Sequence, residues 1–248
     1  MRIRLINPNT TASMTAAMAA AARAVAAPGT QIIAATSKSG PVSIEGHYDE
    51  AMSFVGLVDE IRTGEAEGTD AYVIACFGDP GLLGARELTR APVLGIAEAA
   101  MHAASFVATG FSIVTTLERT RIIAEHLVRA YGMEQKCRRV RATDLPVLEL
   151  ENPLSNARAL ILAECELAIA QDKSGAIVLG CAGMADLARY LEQRLQVPVI
   201  DGVAAAVKFA EALVGLGLQT SKRGDLAFPL AKPYKGALAA YAPARREG

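Results

Sequence analysis

The chain predicts an α/β fold of two pseudosymmetric domains, each a four-stranded parallel sheet flanked by helices, with the active site in the interdomain cleft. Three observations predict it. Short apolar runs of strand character alternate with helical stretches from end to end, the pattern of parallel strands joined by crossover helices. Two cysteines stand at matching places: Cys76 closes the run Ala71-Tyr-Val-Ile-Ala and Cys181 closes Ala176-Ile-Val-Leu-Gly, 105 residues apart. The next landmark, a Pro-Val pair, repeats at an offset of 106 in Pro92 and Pro198, so the halves are duplicated in architecture without close sequence identity.

The elements follow in order. Ile3–Ile6 opens the chain as an apolar strand, and Ser13–Val25 is its helix. Gln31–Ala35 is the next strand. A turn-rich loop over residues 37–46, carrying two glycines and a proline, leads to a helix from about Asp49 to Thr63. Strand Tyr72–Ala75, helix Gly81–Leu88 and strand Val93–Ile96 complete the first half. The second half repeats the plan, with strands at Phe111–Thr115, Arg138–Ala142, Ala176–Leu179 and Val197–Ile200 and helices at Arg119–Tyr131, Ala157–Ile169 and Met184–Leu195. Superposing the cysteine strands also lays Val93-Leu94-Gly95-Ile96 on Val199-Ile200-Asp201-Gly202, and residues 97–104 on 203–210. One more helix after Val203 is expected to return to the first domain. The domains therefore read as residues 1–97 plus 203–248 and residues 98–202.

Composition bounds the function. With 248 residues, 52% hydrophobic and 5% aromatic, the chain can fill one large core or two small ones. Its formal net charge is −1, and apart from Arg138-Arg139-Val140-Arg141 the basic residues are scattered, so nucleic acid is not an expected partner. No segment approaches 18 uninterrupted apolar residues, which speaks against a membrane span. Asn7-Pro8-Asn9-Thr10 breaks any signal-like apolar region near the start, and a cytoplasmic location is expected. The four cysteines show no C-x-x-C spacing and are expected as reduced thiols.

Ligands of parallel sheets sit beyond the carboxyl ends of the strands, where both cysteines fall. A thiol entering a helix there is expected to ionise near neutral pH, because helix amides favour the anion. Each cysteine alone reads equally well as core filler. The pairing favours chemistry, with one carbon reached from two sides. Cys137 and Cys165 read as filler. Nucleophilic catalysis would need a histidine as base, and only His47, His102 and His126 are available. A phosphatase cradle would need arginine six residues after the cysteine, where Leu82 and Leu187 stand. No zinc, calcium or nucleotide motif is present, so no metal and no cofactor is expected. Asn9 and the pair Thr115-Thr116 lie at equivalent strand ends; Thr10 or Ser13 fits the cap of the first helix, and Asn9 can both cap and point into the cleft. The loop over 37–46 reads as a lid or as an ordinary turn.

The stretches INPNTTASMT, SIEGHYDEAM, ACFGDPGL, GIAEAAMH, VTTLERT, DLPVLELE, IVLGCAGM and VPVIDGVAAAVK together resemble the hydantoin racemase family of the aspartate/glutamate racemase superfamily, over nearly the whole chain. GHYDEA, GIAEAAMH and SKRGDLAFP are most similar to the allantoin racemases within it. The resemblance implies a cofactor-independent racemase acting on a small molecule, allantoin or a 5-substituted hydantoin, and a homo-oligomer. It makes Cys76 and Cys181 the catalytic pair. Asn9, Phe77, Thr115, Thr116, Ala182 and Gly183 become substrate contacts, and Pro41, Ser43 and Ile44 of the loop become ring contacts. The rivals are racemisation of other 5-substituted hydantoins in amino-acid salvage, an amino-acid racemase or decarboxylase of the superfamily, and a binding module without turnover.

Overall fold

The computed structural model describes residues 1–152 and 154–244. The first half runs β1 (Arg2–Asn7), α1 (Ala12–Val25), β2 (Gln31–Thr36), α2 (His47–Glu67), β3 (Ala71–Ile74), α3 (Leu82–Leu88), β4 (Val93–Gly95) and α4 (Ile96–Val107). The second runs β5 (Phe111–Thr115), α5 (Glu118–Ala130), β6 (Cys137–Ala142), α6 (Ala157–Asp172), β7 (Ala176–Leu179), α7 (Ala188–Leu195), β8 (Val199–Ile200) and α8 (Gly202–Gly215). Two four-stranded parallel sheets result, ordered β2-β1-β3-β4 and β6-β5-β7-β8. The order reverses between β1 and β3 and between β5 and β7, and a parallel sheet leaves a crevice at such a point.

Burial explains the strand sequences. β3 (AYVI) and β7 (AIVL) are buried at every position, as strands covered on both faces must be. The outer face of the first sheet packs under α2 and α3, and that of the second under α6 and α7. Between the sheets lie α1, α4, α5 and α8, and the largest apolar cluster joins Ile3, Leu5 and Val73 of one sheet to Phe111, Ile113 and Val178 of the other through them. The two halves exchange their last helices: α4, following β4, packs on β7, while α8, following β8, packs on β3 and β4.

The element ends depart from the sequence reading for identifiable reasons. α2 runs past Thr63 to Glu67 and stops where Gly68 supplies a left-handed cap at φ 70°. Ile96 begins α4 rather than closing β4. Residues 182–187 form a 3₁₀ turn before α7 starts at Ala188. β8 is confined to two residues; Pro198 before it lacks an N–H, although its carbonyl accepts from Ile177 at 2.9 Å. Neither Thr10 nor Ser13 caps α1: Thr11 holds the cap position, and Asn9 Oδ1 accepts its backbone N–H at 2.9 Å.

The duplication also shows a traded function. Asp201 caps α8 from its own N-cap, accepting from the amides of Val203 and Ala204 at 3.0 Å each. The matching residue before α4 is Gly95. Its cap comes from across the sheet: Asp79 accepts from the amides of Ala97 at 3.0 Å and Glu98 at 2.9 Å, and from the Tyr131 hydroxyl at 2.7 Å. A Cβ at Gly95 would fall on the Asp79 carboxylate, so the glycine makes room for the borrowed cap.

Candidate active site

β3 delivers Cys76 and β7 delivers Cys181, each two residues past the strand end, and each beside a point where the sheet order reverses. The strands that bring up the opposite wall at each point are β1, carrying Asn9 beyond its end, and β5, carrying Thr115 at its end and Thr116 beyond. One pocket is lined by all of these: Asn9, Cys76, Phe77, Thr115, Thr116, Cys181 and Ala182. Ile44 reaches it from the 37–46 loop. Met14 and Met18 of α1, Glu50 of α2, and Thr120, Ile123 and Ala124 of α5 complete much of the wall. The pocket is narrow, with a volume of about 50 Å³.

Pro41, Ser43 and Gly183, expected as contacts, are not on the pocket wall. The Pro41 carbonyl accepts from the Thr10 amide at 3.0 Å and its hydroxyl at 3.3 Å, and the Val42 carbonyl accepts from the Thr11 hydroxyl at 2.7 Å. These bonds pin the loop onto the segment after β1, which is what brings Ile44 inward. Gly183 stands behind Cys181, its amide favouring the anion of the sulfur.

That amide has a counterpart in the other half. The Gly78 amide favours the anion of Cys76 as the Gly183 amide favours that of Cys181, so each thiol has beside it the amide of the glycine two residues on. The repeated Cys-x-Gly, Cys76-Phe77-Gly78 and Cys181-Ala182-Gly183, is the signal in the sequence that could have found this. Gly180 is needed for a different reason. A Cβ there would stand 2.7 Å from the Thr115 Cβ and 2.9 Å from its Cα, and the close approach lets the Thr115 hydroxyl donate to the Gly180 carbonyl at 3.0 Å.

The expectation of ionised thiols is overturned. Burial pushes the Cys181 thiol up to about 11, against the pull of the Gly183 amide. Cys76 is held well above the ordinary thiol range, by burial first and then by the charges of Cys181, Asp79 and Glu50, with the Gly78 amide opposing. The helix that was to favour the anion is absent beside Cys76: a turn over residues 77–81 intervenes and α3 begins only at Leu82. Both groups rest as thiols at neutral pH. All four cysteines are free; Cys165 is buried in the second sheet's outer core, and Cys137 sits at the start of β6.

No histidine lines the pocket. His47 and His126 stack on each other with centroids 6.1 Å apart, and His102 turns Nδ1 to the Glu98 carbonyl at 2.8 Å on α4. A cysteine–histidine nucleophile is therefore not assembled. Among the described residues no group of His, Cys, Asp or Glu is arranged to hold a metal ion, and no helix is long and apolar enough to cross a membrane. Asn9 is held by Asn7 and Met14: its backbone N–H donates to Asn7 Oδ1 at 3.1 Å, its Oδ1 accepts from Asn7 Nδ2 at 2.8 Å and its Nδ2 meets the Met14 sulfur at 3.6 Å. Two thiols delivered from different sheets to the lining of one pocket are groups that can give and take a proton there.

The family model for Asp/Glu/hydantoin racemases matches residues 3–210. The chain belongs to this family and is a racemase. It is 53% identical over 236 residues to a hydantoin racemase from Rhizobium meliloti, covering 95% of this chain and 98% of that one. A hydantoin racemase from Pseudomonas sp. (strain NS671) is 49% identical, with 96% of each covered. Among solved structures, allantoin racemase from Klebsiella pneumoniae superposes with a TM-score of 0.95 at 58% identity, over 98% of this chain and 99% of that one. Arylmalonate decarboxylase shares the racemase's fold at a TM-score of 0.62 and 20% identity.

Proposed function

We propose that this racemase inverts C5 of a hydantoin-type ring without a cofactor, with allantoin as its substrate, and that Cys76 and Cys181 are its two bases. The observation that carries the reading is the pair of thiols, brought from the two sheets, that line one pocket, each beside a glycine amide that favours its anion; the allantoin racemase at 58% identity favours the ureido-substituted ring.

The C5 hydrogen is flanked by a ring carbonyl and a ring nitrogen, so its removal leaves an enolate. One sulfur, ionised, takes the proton as a second sulfur on the far face delivers its own; the first becomes the thiol and the second the thiolate. The other enantiomer runs the step in reverse. Each sulfur comes within about 3–3.5 Å of the carbon in the reactive pose. The Gly78 and Gly183 amides steady whichever sulfur carries the charge, and Asn9 Nδ2 and the Thr116 hydroxyl are the side-chain donors for the enolate oxygen. The division into residues 1–97 plus 203–248 and residues 98–202 supplies two bodies between which the site lies; residues 245–248 are outside those described.

Polarimetry on each pure enantiomer of allantoin and of 5-benzylhydantoin, without added cofactor, tests the reading. Decay of optical rotation is expected on both, faster on allantoin. Faster decay on the benzyl compound moves the substrate to the apolar hydantoins, and no decay on either contradicts the activity.

A further inference from the structure

Among the described residues that line the pocket, Glu50 is the only one with a charged side chain, and the proton transfer does not use it. Its side chain is 19% exposed. Oε2 is held by His47 Nδ1 at 3.0 Å, and His47 is in turn stacked against His126 of α5, so the carboxylate is braced from the second half of the chain. Oε1 lies over Gly78, whose missing side chain leaves it space: a Cβ there would stand 2.6 Å from that oxygen.

A carboxylate in this wall poses an electrostatic problem. Negative charge develops on the ring as C5 loses its proton, and an anion aimed at the ring raises the energy of that state. The charge is compatible with turnover where it faces hydrogen-bond donors away from the reacting carbon. The remaining wall, with Met14, Met18, Ile44, Phe77, Ile123 and Val147, offers an apolar substituent good contact and no acceptor of comparable strength.

We infer that Glu50 is the specificity-determining residue of the pocket, its carboxylate accepting N–H bonds from a ureido or similarly donor-rich C5 substituent. This rests on the pocket being the hydantoin site, and it concerns the substituent, not the ring. A substrate whose substituent lacks donors leaves the half-buried carboxylate with His47 alone and Oε1 unmatched, and sites built to bond a polar group discriminate strongly on that ground.

The test compares kcat/KM for allantoin and for 5-methylhydantoin, which shares the ring and lacks the donors, in wild type, Glu50→Ala and Glu50→Gln. The allantoin-to-methylhydantoin ratio is expected to fall about 10–100-fold in Glu50→Ala, mostly through KM, and less in Glu50→Gln, whose amide oxygen still accepts. Equal losses on both substrates, or an unchanged ratio, overturn the inference and assign Glu50 to holding the Cys76 turn. Wild type inert on both ends the proposed function instead. Calorimetric binding of the same two compounds then reads the selection directly: it must favour allantoin and lose that preference in Glu50→Ala, and any other result overturns the inference.

Discussion

Replacing Asp79 by alanine tests whether the borrowed cap on α4 works as the structure places it. The change removes three hydrogen bonds, to the amides of Ala97 and Glu98 and to the Tyr131 hydroxyl. At roughly 1 kcal/mol each the loss is about 3 kcal/mol, and for a chain of this size that lowers Tm by about 6–12 °C. The internal repeat supplies a repair. Gly95→Asp puts at α4 the residue that caps α8, with a backbone of φ −87° and ψ 144° close to the −85° and 125° of Asp201. In wild type this substitution collides with the Asp79 carboxylate and costs about 1–3 kcal/mol. In the Asp79→Ala background the collision is gone and the new carboxylate restores a cap worth about 1 kcal/mol. The same substitution thus changes sign with background, a coupling of about 2–4 kcal/mol in a double-mutant cycle read by urea unfolding. Burial raises the Asp79 carboxyl to about 7 in the folded state, outweighing its three donors. Its contribution to stability is therefore complete below the unfolded value near 4 and is lost as pH rises through 7, so the cost of Asp79→Ala shrinks from pH 6 to pH 8. Gly95→Asp equally harmful in both backgrounds refutes the reasoning.

Two further outcomes are expected. Gly180→Ala forces a Cβ against the backbone of Thr115 and shifts the Cys181 turn; it should destabilise by about 1–3 kcal/mol in denaturant titration and lower kcat more than its stability loss explains. With both thiols raised, the reactive thiolate is scarce at neutral pH, so kcat/KM should climb close to tenfold per unit from pH 6 to 9; a flat profile contradicts burial as the cause.

The sheets were legible because β3 and β7 are short unbroken apolar runs, and the 105-residue offset exposes the duplication in the sequence itself. Element ends were not, because helix starts here are set by partners remote in sequence: the Asp79 carboxylate fixes the beginning of α4, and nothing local to Ile96 announces it. The cysteine positions, Asn9, Phe77, Thr115, Thr116 and Ala182 could be placed from strand ends and family strings. Glu50 could not. In sequence it is one acid among the first-turn carboxylates of α2, Asp49 and Glu50, which look like a solvated helix start, and only the packing of α2 over Gly78 turns it inward. The ionisation of the thiols is not legible for a related reason: position after a strand is visible in sequence, whereas depth of burial is a property of both halves together.

The assignment of one base to each face is tested most directly by single serine variants in deuterated water, following C5 exchange by NMR on each separate enantiomer of the substrate. Cys76→Ser and Cys181→Ser should each abolish racemisation, and each should still exchange C5 hydrogen in one enantiomer, opposite in the two variants. Racemisation surviving in either variant, or both variants exchanging the same enantiomer, contradicts the two-base account.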